Sequence, residues 1–251
     1  MHAVHLSRLA AVCSFAAFLA AICVFAPART ANGQTDFPTV VLLHGLGRTA
    51  RSMTGMADYL EQHGYRVVNL DYPSRSMSIP ELAELLGQHL VECCAGEEEK
   101  IDFVTHSLGG IVVREYLAHH GRRYRGRVVM LGPPNHGSEL VDVLAVAPLF
   151  EELLGPAAVE LGTDPSSVPN ALGPVHFDLG VIAGSRSYNP LWSWLIPGDD
   201  DGRVAVDRAR VEGMADFLVV AASHTFMMDD ANVREQTVAF LRGGQFRHTD
   251  R

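Results

Sequence analysis

Thr105-His106-Ser107-Leu108-Gly109-Gly110 is the stretch that decides how this chain reads. It joins the apolar run Ile101-Asp102-Phe103-Val104 to the helix-like run Ile111-Val112-Val113-Arg114-Glu115-Tyr116-Leu117. A serine hemmed by small residues at a strand-to-helix corner has the form of a nucleophile elbow. Such a corner pushes the hydroxyl out of the sheet and sets it at a helix N-terminus. Unpaired N–H groups and partial positive charge there suit a developing oxyanion. The first glycine of the G-x-S-x-G pattern is Thr105 in this chain. A phosphate-binding turn or a plain tight connection uses similar residues, so the flanking sequence must decide.

Outward from the elbow, short apolar β-rich runs alternate with helical patterns. Thr39–Leu43, Arg66–Leu70, Ile101–Val104, Arg127–Leu131, Phe177–Ala183 and Phe217–Ala221 read as strands buried on both faces. Helical spacing recurs at Met53, Met56, Ala57 and Leu60, and again from Ile79 to Leu90, with Ser78 as N-cap and Pro80 in the first turn. Val112 to Leu117 and Ala231 to Leu241 supply two more helices. This βαβ alternation predicts an α/β fold with a doubly wound, mostly parallel six-stranded sheet in the order 2-1-3-4-5-6. One stretch, about 139–173, breaks the rhythm. It has no strand but carries Val143, Val146, Leu149, Phe150, Leu153 and Leu154 in helical spacing. A helical cap inserted over the site is expected there. The folded domain is expected over 36–242, with a frayed tail at 243–251.

Composition narrows the class. The 251 residues carry a net charge of -9, which argues against a nucleic-acid footprint. Arg8 precedes the apolar run Leu9–Ala26, and Ala26-Pro27-Ala28 offers a small-residue cleavage site. Residues 1–28 therefore read as a signal peptide, and the protein as exported, periplasmic or secreted. An uncleaved membrane anchor is the alternative, because the run is long. Outside this leader only the adjacent Cys93 and Cys94 remain. They read as buried thiols, with a vicinal disulfide as the rarer possibility. No metal or cofactor motif accompanies them. The arginines 122, 123, 125 and 127 read as a solvated turn far from the chemistry.

A serine hydroxyl needs a base to take its proton, and the base needs an orienting acid. In folds of this topology the order along the chain is Ser, Asp/Glu, His. His224 directly follows the sixth strand, at the sheet edge where the elbow opens, and is the candidate base. The candidate acid is Asp201 in Asp199-Asp200-Asp201-Gly202-Arg203-Val204, with Asp199, Asp200 and, more weakly, Asp207 left open. Two backbone N–H groups, of Leu46 in His44-Gly45-Leu46-Gly47 and of Leu108 after the serine, are the expected oxyanion donors.

With these pieces in place the chain resembles the α/β-hydrolase superfamily, and within it the bacterial lipase and esterase group. The resemblance is carried by His44-Gly45-Leu46-Gly47, Thr105 to Gly110, Leu131-Gly132-Pro133-Pro134-Asn135-His136-Gly137-Ser138, Asp201 to Val204 and Ser223-His224. It implies a minimal form of the fold, without the two leading antiparallel strands of larger relatives, and a structural or rim-lining place for His136. It also implies an ester hydrolase working through an acyl-enzyme on Ser107, with no cofactor. Leu46, the 140–154 insertion and Trp192, Trp194, Leu195 and Ile196 suggest apolar acyl groups as substrate. An acyltransferase using the same three side chains, and a non-catalytic binding protein on the same fold, are the competing classes.

Overall fold

A computed structural model describes residues 37–95, 100–120 and 126–248. The proposed leader at 1–28 and the arginines 122, 123 and 125 lie outside the described residues. Among those described, no helix is long and apolar enough to cross a membrane.

Six strands form one sheet: β1 Thr39–Leu43, β2 Arg66–Leu70, β3 Asp102–His106, β4 Arg127–Leu131, β5 Asp178–Gly184 and β6 Asp216–Val220. Their order is β2-β1-β3-β4-β5-β6, and every pairing is parallel. The expected α/β class and strand order are those observed. Parallel pairing explains the continuous apolar runs, since both faces of each central strand are covered. On one face Val41, Leu43, Phe103, Val128 and Met130 pack against α2 (Ile79–Cys94) and α3 (Leu108–His120). Val40, Leu42, Val104, Val129 and Leu131 point the other way, against α1 (Thr54–Gln62) and a C-terminal helix, Ala231–Gly243. Ser78 and Glu81 form a reciprocal capping box that starts α2 one residue before Pro80. The adjacent Cys93 and Cys94, at the last turn of α2, form the vicinal disulfide.

The segment between β4 and β5 carries α4 (Glu139–Ala145), α5 (Phe150–Leu154), α6 (Pro156–Val159) and α7 (Val168–Ala171). The expected apolar stripe is not one buried face. Phe150 is buried, whereas Val146, Leu149 and Leu153 face solvent. Pro148 and the Gly155-Pro156 pair interrupt the backbone ladder, so the stripe is cut into short pieces that rotate independently. Polar ties staple this segment down: Ser138 N–H donates to the Leu161 carbonyl, Ile79 N–H to Glu160, and Arg208 pairs with Glu139 at 2.7 Å.

After β5 come α8 (Pro190–Leu195), α9 (Val206–Ala209) and, beyond β6, the C-terminal helix, α10. The tail expected to fray is docked as far as residue 248. Phe246 is buried against Phe240, and its N–H donates to Asp216. Gln236 exchanges two hydrogen bonds with the Arg247 backbone. Satisfying these backbone groups offsets the entropy that would otherwise loosen a terminus. Residues 249–251 lie outside the described set.

A buried cation ties α3 to the segment after β4. Arg114 is 2% exposed and meets no carboxylate among the described residues; it donates instead to Asn135 O and Oδ1 and to Gly173 O. Asn135, fully buried, passes the connection on to the Ala209 carbonyl. Burial lowers the Arg114 pKa to about 10, so it stays charged at neutral pH. Replacement by methionine would leave three acceptors without their donor. Arg114→Met is expected to lose on the order of 3 kcal/mol, read as a lower urea midpoint at unchanged slope. A loss under about 0.5 kcal/mol would mean water replaces the guanidinium at little cost.

Candidate active site

Parallel strands bring their C-terminal ends to one edge, and the loops leaving that edge build the site. Ser107 stands between β3 and α3 with φ of +54°, one of two non-glycine residues with positive φ among those described. Its N–H donates to Leu131 O at the end of β4, and its carbonyl accepts from Gly110 at the start of α3. Such a backbone costs about 1–2 kcal/mol, and it is held by strands on either side. Gly109 is required by close approach: a Cβ there would lie 2.8 Å from Leu43 O and 2.9 Å from His44 O. Thr105 sits within strand β3, fully buried and outside the positive-φ residues. The glycine of the general motif is therefore not needed for backbone conformation at that position.

Ser107, His224 and Asp201, far apart in sequence, meet here. His224 Nε2 lies 3.0 Å from Ser107 Oγ, and Nδ1 lies 2.7 Å from Asp201 Oδ2. A carboxylate only accepts, so Nδ1 carries the proton and Nε2 turns its lone pair to the hydroxyl. The choice among the aspartates follows from the loop. Asp200 Oδ1 takes Ser193 Oγ and Gly202 N–H, Asp199 and Asp207 are exposed, and Asp201 alone reaches the imidazole. Asp201 Oδ1 is fixed by the N–H groups of Arg203 and Val204, and its carbonyl accepts from His224 N–H.

Two supports of this geometry escape a reading of the sequence alone. His106, beside the serine, donates from Nε2 to the His224 carbonyl at 2.9 Å, and the two rings tilt against each other. Burial, reinforced by the charges of His224, Arg48 and Arg203, holds the His106 pKa well below its ordinary value. Gly132, directly after β4, is the second. A Cβ there would stand 2.9 Å from Asp201 Oδ2 and 3.1 Å from His224 Nδ1. Its place in Leu131-Gly132-Pro133 was visible, but no sequence signal says which side chains crowd it.

Leu46 lies in the turn closed by Arg48 N–H on Gly45 O, and Gly45 packs against Ser107. Neither the Leu46 nor the Leu108 N–H has an acceptor among the described residues. His44 is buried, stacked on Tyr72, with Nδ1 donating to Gly45 O; Tyr72 O–H donates to the His44 carbonyl. His136 is structural: its Nδ1 bonds Asn170, and its backbone exchanges hydrogen bonds with Arg208.

Above Ser107 opens a cavity of about 350 Å³, walled on the far side by Leu140, Val141, Leu144, Phe150, Leu154 and Leu161. The segment expected as a cap thus covers the serine. Of the tryptophans expected nearby, Trp192 lines a smaller cleft beside His224, while Trp194 is 80% exposed and does not line the cavity. Two residues apart on α8, the indoles point to different sides of the helix, so both cannot turn inward.

A family model described as "Domain of unknown function (DUF7379)" matches residues 14–172. No curated protein is similar in sequence. Solved structures match in fold. The lipase BlEst2 of Bacillus licheniformis, in mature form, is 21% identical with a TM-score of 0.66, over 83% of this chain and 92% of that one. Phospholipase PlaB of Legionella pneumophila is 17% identical, with a TM-score of 0.63, over 80% and 55% of the two chains. Aspergillus fumigatus lipase B is 13% identical, with a TM-score of 0.64, over 86% and 55%. The chain has the α/β-hydrolase fold shared by these bacterial and fungal structures.

The buried neutral His106 has a consequence for acid stability. Below about pH 6.5 the unfolded chain protonates this imidazole while the folded chain resists it. Unfolded chains then bind more protons, so stability falls as pH drops. His44, also lowered chiefly by burial, acts in the same direction. In His106→Gln, which keeps an N–H donor, urea midpoints from pH 7.5 to 5.5 are expected to fall less steeply than in the wild type. Parallel slopes would rule out His106 as a source of the acid sensitivity.

Proposed function

We propose that this chain, which belongs to the DUF7379 family, is a serine hydrolase of carboxylic esters with apolar acyl groups. One observation carries the reading: an unbroken hydrogen-bond path from Ser107 Oγ through His224 to Asp201, at 3.0 and 2.7 Å, opening into a cavity with an apolar wall.

In this mechanism His224 Nε2 takes the Ser107 proton as Oγ attacks the ester carbonyl carbon. The carbonyl electrons move onto its oxygen, which accepts from the Leu46 and Leu108 N–H groups. Asp201 stabilises the imidazolium and stays ionised. Collapse of the tetrahedral adduct breaks the bond to the alcohol, which leaves with the proton from His224, and the acyl group remains on Ser107. Water, deprotonated by His224, repeats the sequence, releases the acid and restores the serine. The apolar run Leu9–Ala26 ahead of Ala26-Pro27-Ala28 supports placing this chemistry outside the cytoplasm.

An aryl alkylphosphonate ester is expected to label the wild type once per chain and to leave Ser107→Ala unlabelled, with a far-ultraviolet spectrum unchanged. Labelling that persists in the variant would overturn the assignment. Asp201→Asn keeps the shape of the acid but lets its amide face Nδ1, favouring the wrong tautomer. A drop in kcat on the order of 10⁴ is expected. Retention of more than a tenth of the wild-type rate would remove Asp201 from the mechanism.

A further inference from the structure

The cavity over Ser107 is lined by apolar residues of the cap and by cations. Arg48, Arg75 and Arg203 all line it, although they come from three separate loops. Arg48 follows the turn that carries Leu46. Arg75 belongs to the loop after β2, which also binds that turn, because Gly47 N–H donates to Ser74 Oγ. Arg203 is two residues past Asp201.

None of the three forms an ion pair among the described residues, whereas Arg208 and Arg234 pair with carboxylates at 2.7 and 2.8 Å. The acids nearby are already engaged. Asp201 gives Oδ1 to backbone N–H groups and Oδ2 to His224. Asp71, in the cleft adjoining Arg48 and Arg75, takes the Ala50 N–H and faces His44 at 3.3 Å. Meanwhile the guanidiniums are steered. That of Arg203 lies 5.0 Å from the Trp192 ring centroid, and Arg75 Nη1 reaches the Leu153 carbonyl of α5. Arg48 is half-buried and Arg75 and Arg203 are exposed; desolvation lowers the Arg203 pKa, the Asp201 charge opposes that, and the Arg48 charge adds to the lowering. Arg48 and Arg203 thus sense one another at the cavity, and an anion entering it meets cations from three loops. Guanidinium forks match the oxygens of phosphate and carboxylate, so the missing partner is an oxyanion.

We infer that the cavity selects amphiphilic esters: an apolar acyl chain lies against the cap, and the alcohol half carries a phosphate or carboxylate anion held by Arg48, Arg75 and Arg203. This rests on the ester-hydrolase reading and names its substrate class. The apolar residues that suggest apolar acyl groups say nothing of the alcohol half, and these arginines are scattered over 156 positions from Arg48 to Arg203.

Three esters with one octanoyl chain test it, each below its micellar range: octanoylglycerol, octanoylglycerol 3-phosphate and octanoyl glycolate. The wild-type chain is expected to show a kcat/KM at least tenfold higher for an anionic ester than for the neutral one, shrinking in 1 M salt as screening sets in. The phosphate and glycolate arms tell which oxyanion is preferred. In Arg48→Gln/Arg203→Gln the anionic-to-neutral ratio is expected to fall toward one. Octyl phosphate supplies a readout independent of turnover; calorimetry is expected to find its affinity at least tenfold weaker in the double variant, with thermal melting confirming the fold. A wild-type ratio at or below one, or a ratio unchanged in the double variant, would overturn the inference while leaving the hydrolase reading intact. Arginine-dependent binding of octyl phosphate, with no ester turned over, would instead sink the hydrolase reading and keep the anion site.

Discussion

The left-handed backbone of Ser107 is the constraint on which the rest of the site depends. With φ of +54° the chain leaves β3 and enters α3 within one residue, so the hydroxyl projects beyond the sheet edge instead of into the sheet. An L-residue resists this conformation, and its neighbours impose it. Leu131 accepts the Ser107 N–H, Gly110 caps its carbonyl, and the bare Cα of Gly109 allows α3 to press on the end of β1. A parallel sheet with both faces packed supplies the rigidity that makes a cost of about 1–2 kcal/mol bearable within a marginally stable molecule.

From that point the polar architecture spreads in two directions. Toward β6, His224 is fixed from four sides: the carboxylate and carbonyl of Asp201, the His106 imidazole and the Ser107 hydroxyl. So many contacts leave the ring little freedom, and preorganisation of this kind is what electrostatic catalysis draws upon. Away from the site, Arg114 and Asn135 link α3 to the segment that returns from β4 and to α9. The elbow helix and the loop bearing Gly132 are thereby braced by a buried network whose members are all bonded to carbonyls or amides, apart from Arg114 Nε. Buried polar groups left half-satisfied are costly, so this network resists piecemeal change.

The cap gives the cavity its dual character. Its inner surface is apolar, its outer surface exposes Val146, Leu149 and Leu153, and its backbone is fastened to Arg75 through the Leu153 carbonyl. Arginines with no ion pair among the described residues line the same cavity as this apolar wall. A ligand that is itself amphiphilic matches both walls.

Much of this was legible in the residues. Alternating apolar runs and helical spacings pointed to the parallel α/β sheet, because central strands buried on both faces read as continuous apolar runs. Local motifs singled out Ser107, His224 and the acidic loop, since an elbow and the ends of parallel strands depend on short-range chemistry. What the sequence left open depends on distances across the chain. The choice of Asp201 over Asp199, Asp200 and Asp207 was decided by which carboxylate the loop turns toward Nδ1. Docking of residues 245–248 was decided by Asp216 and Gln236, which hold their backbone N–H groups and carbonyls from afar. The tertiary structure alone brought Gly132 against the Asp201–His224 pair and three distant arginines around one cavity. A side chain's chemistry is written locally, but its partners are set only when the sheet closes and its loops converge at one edge.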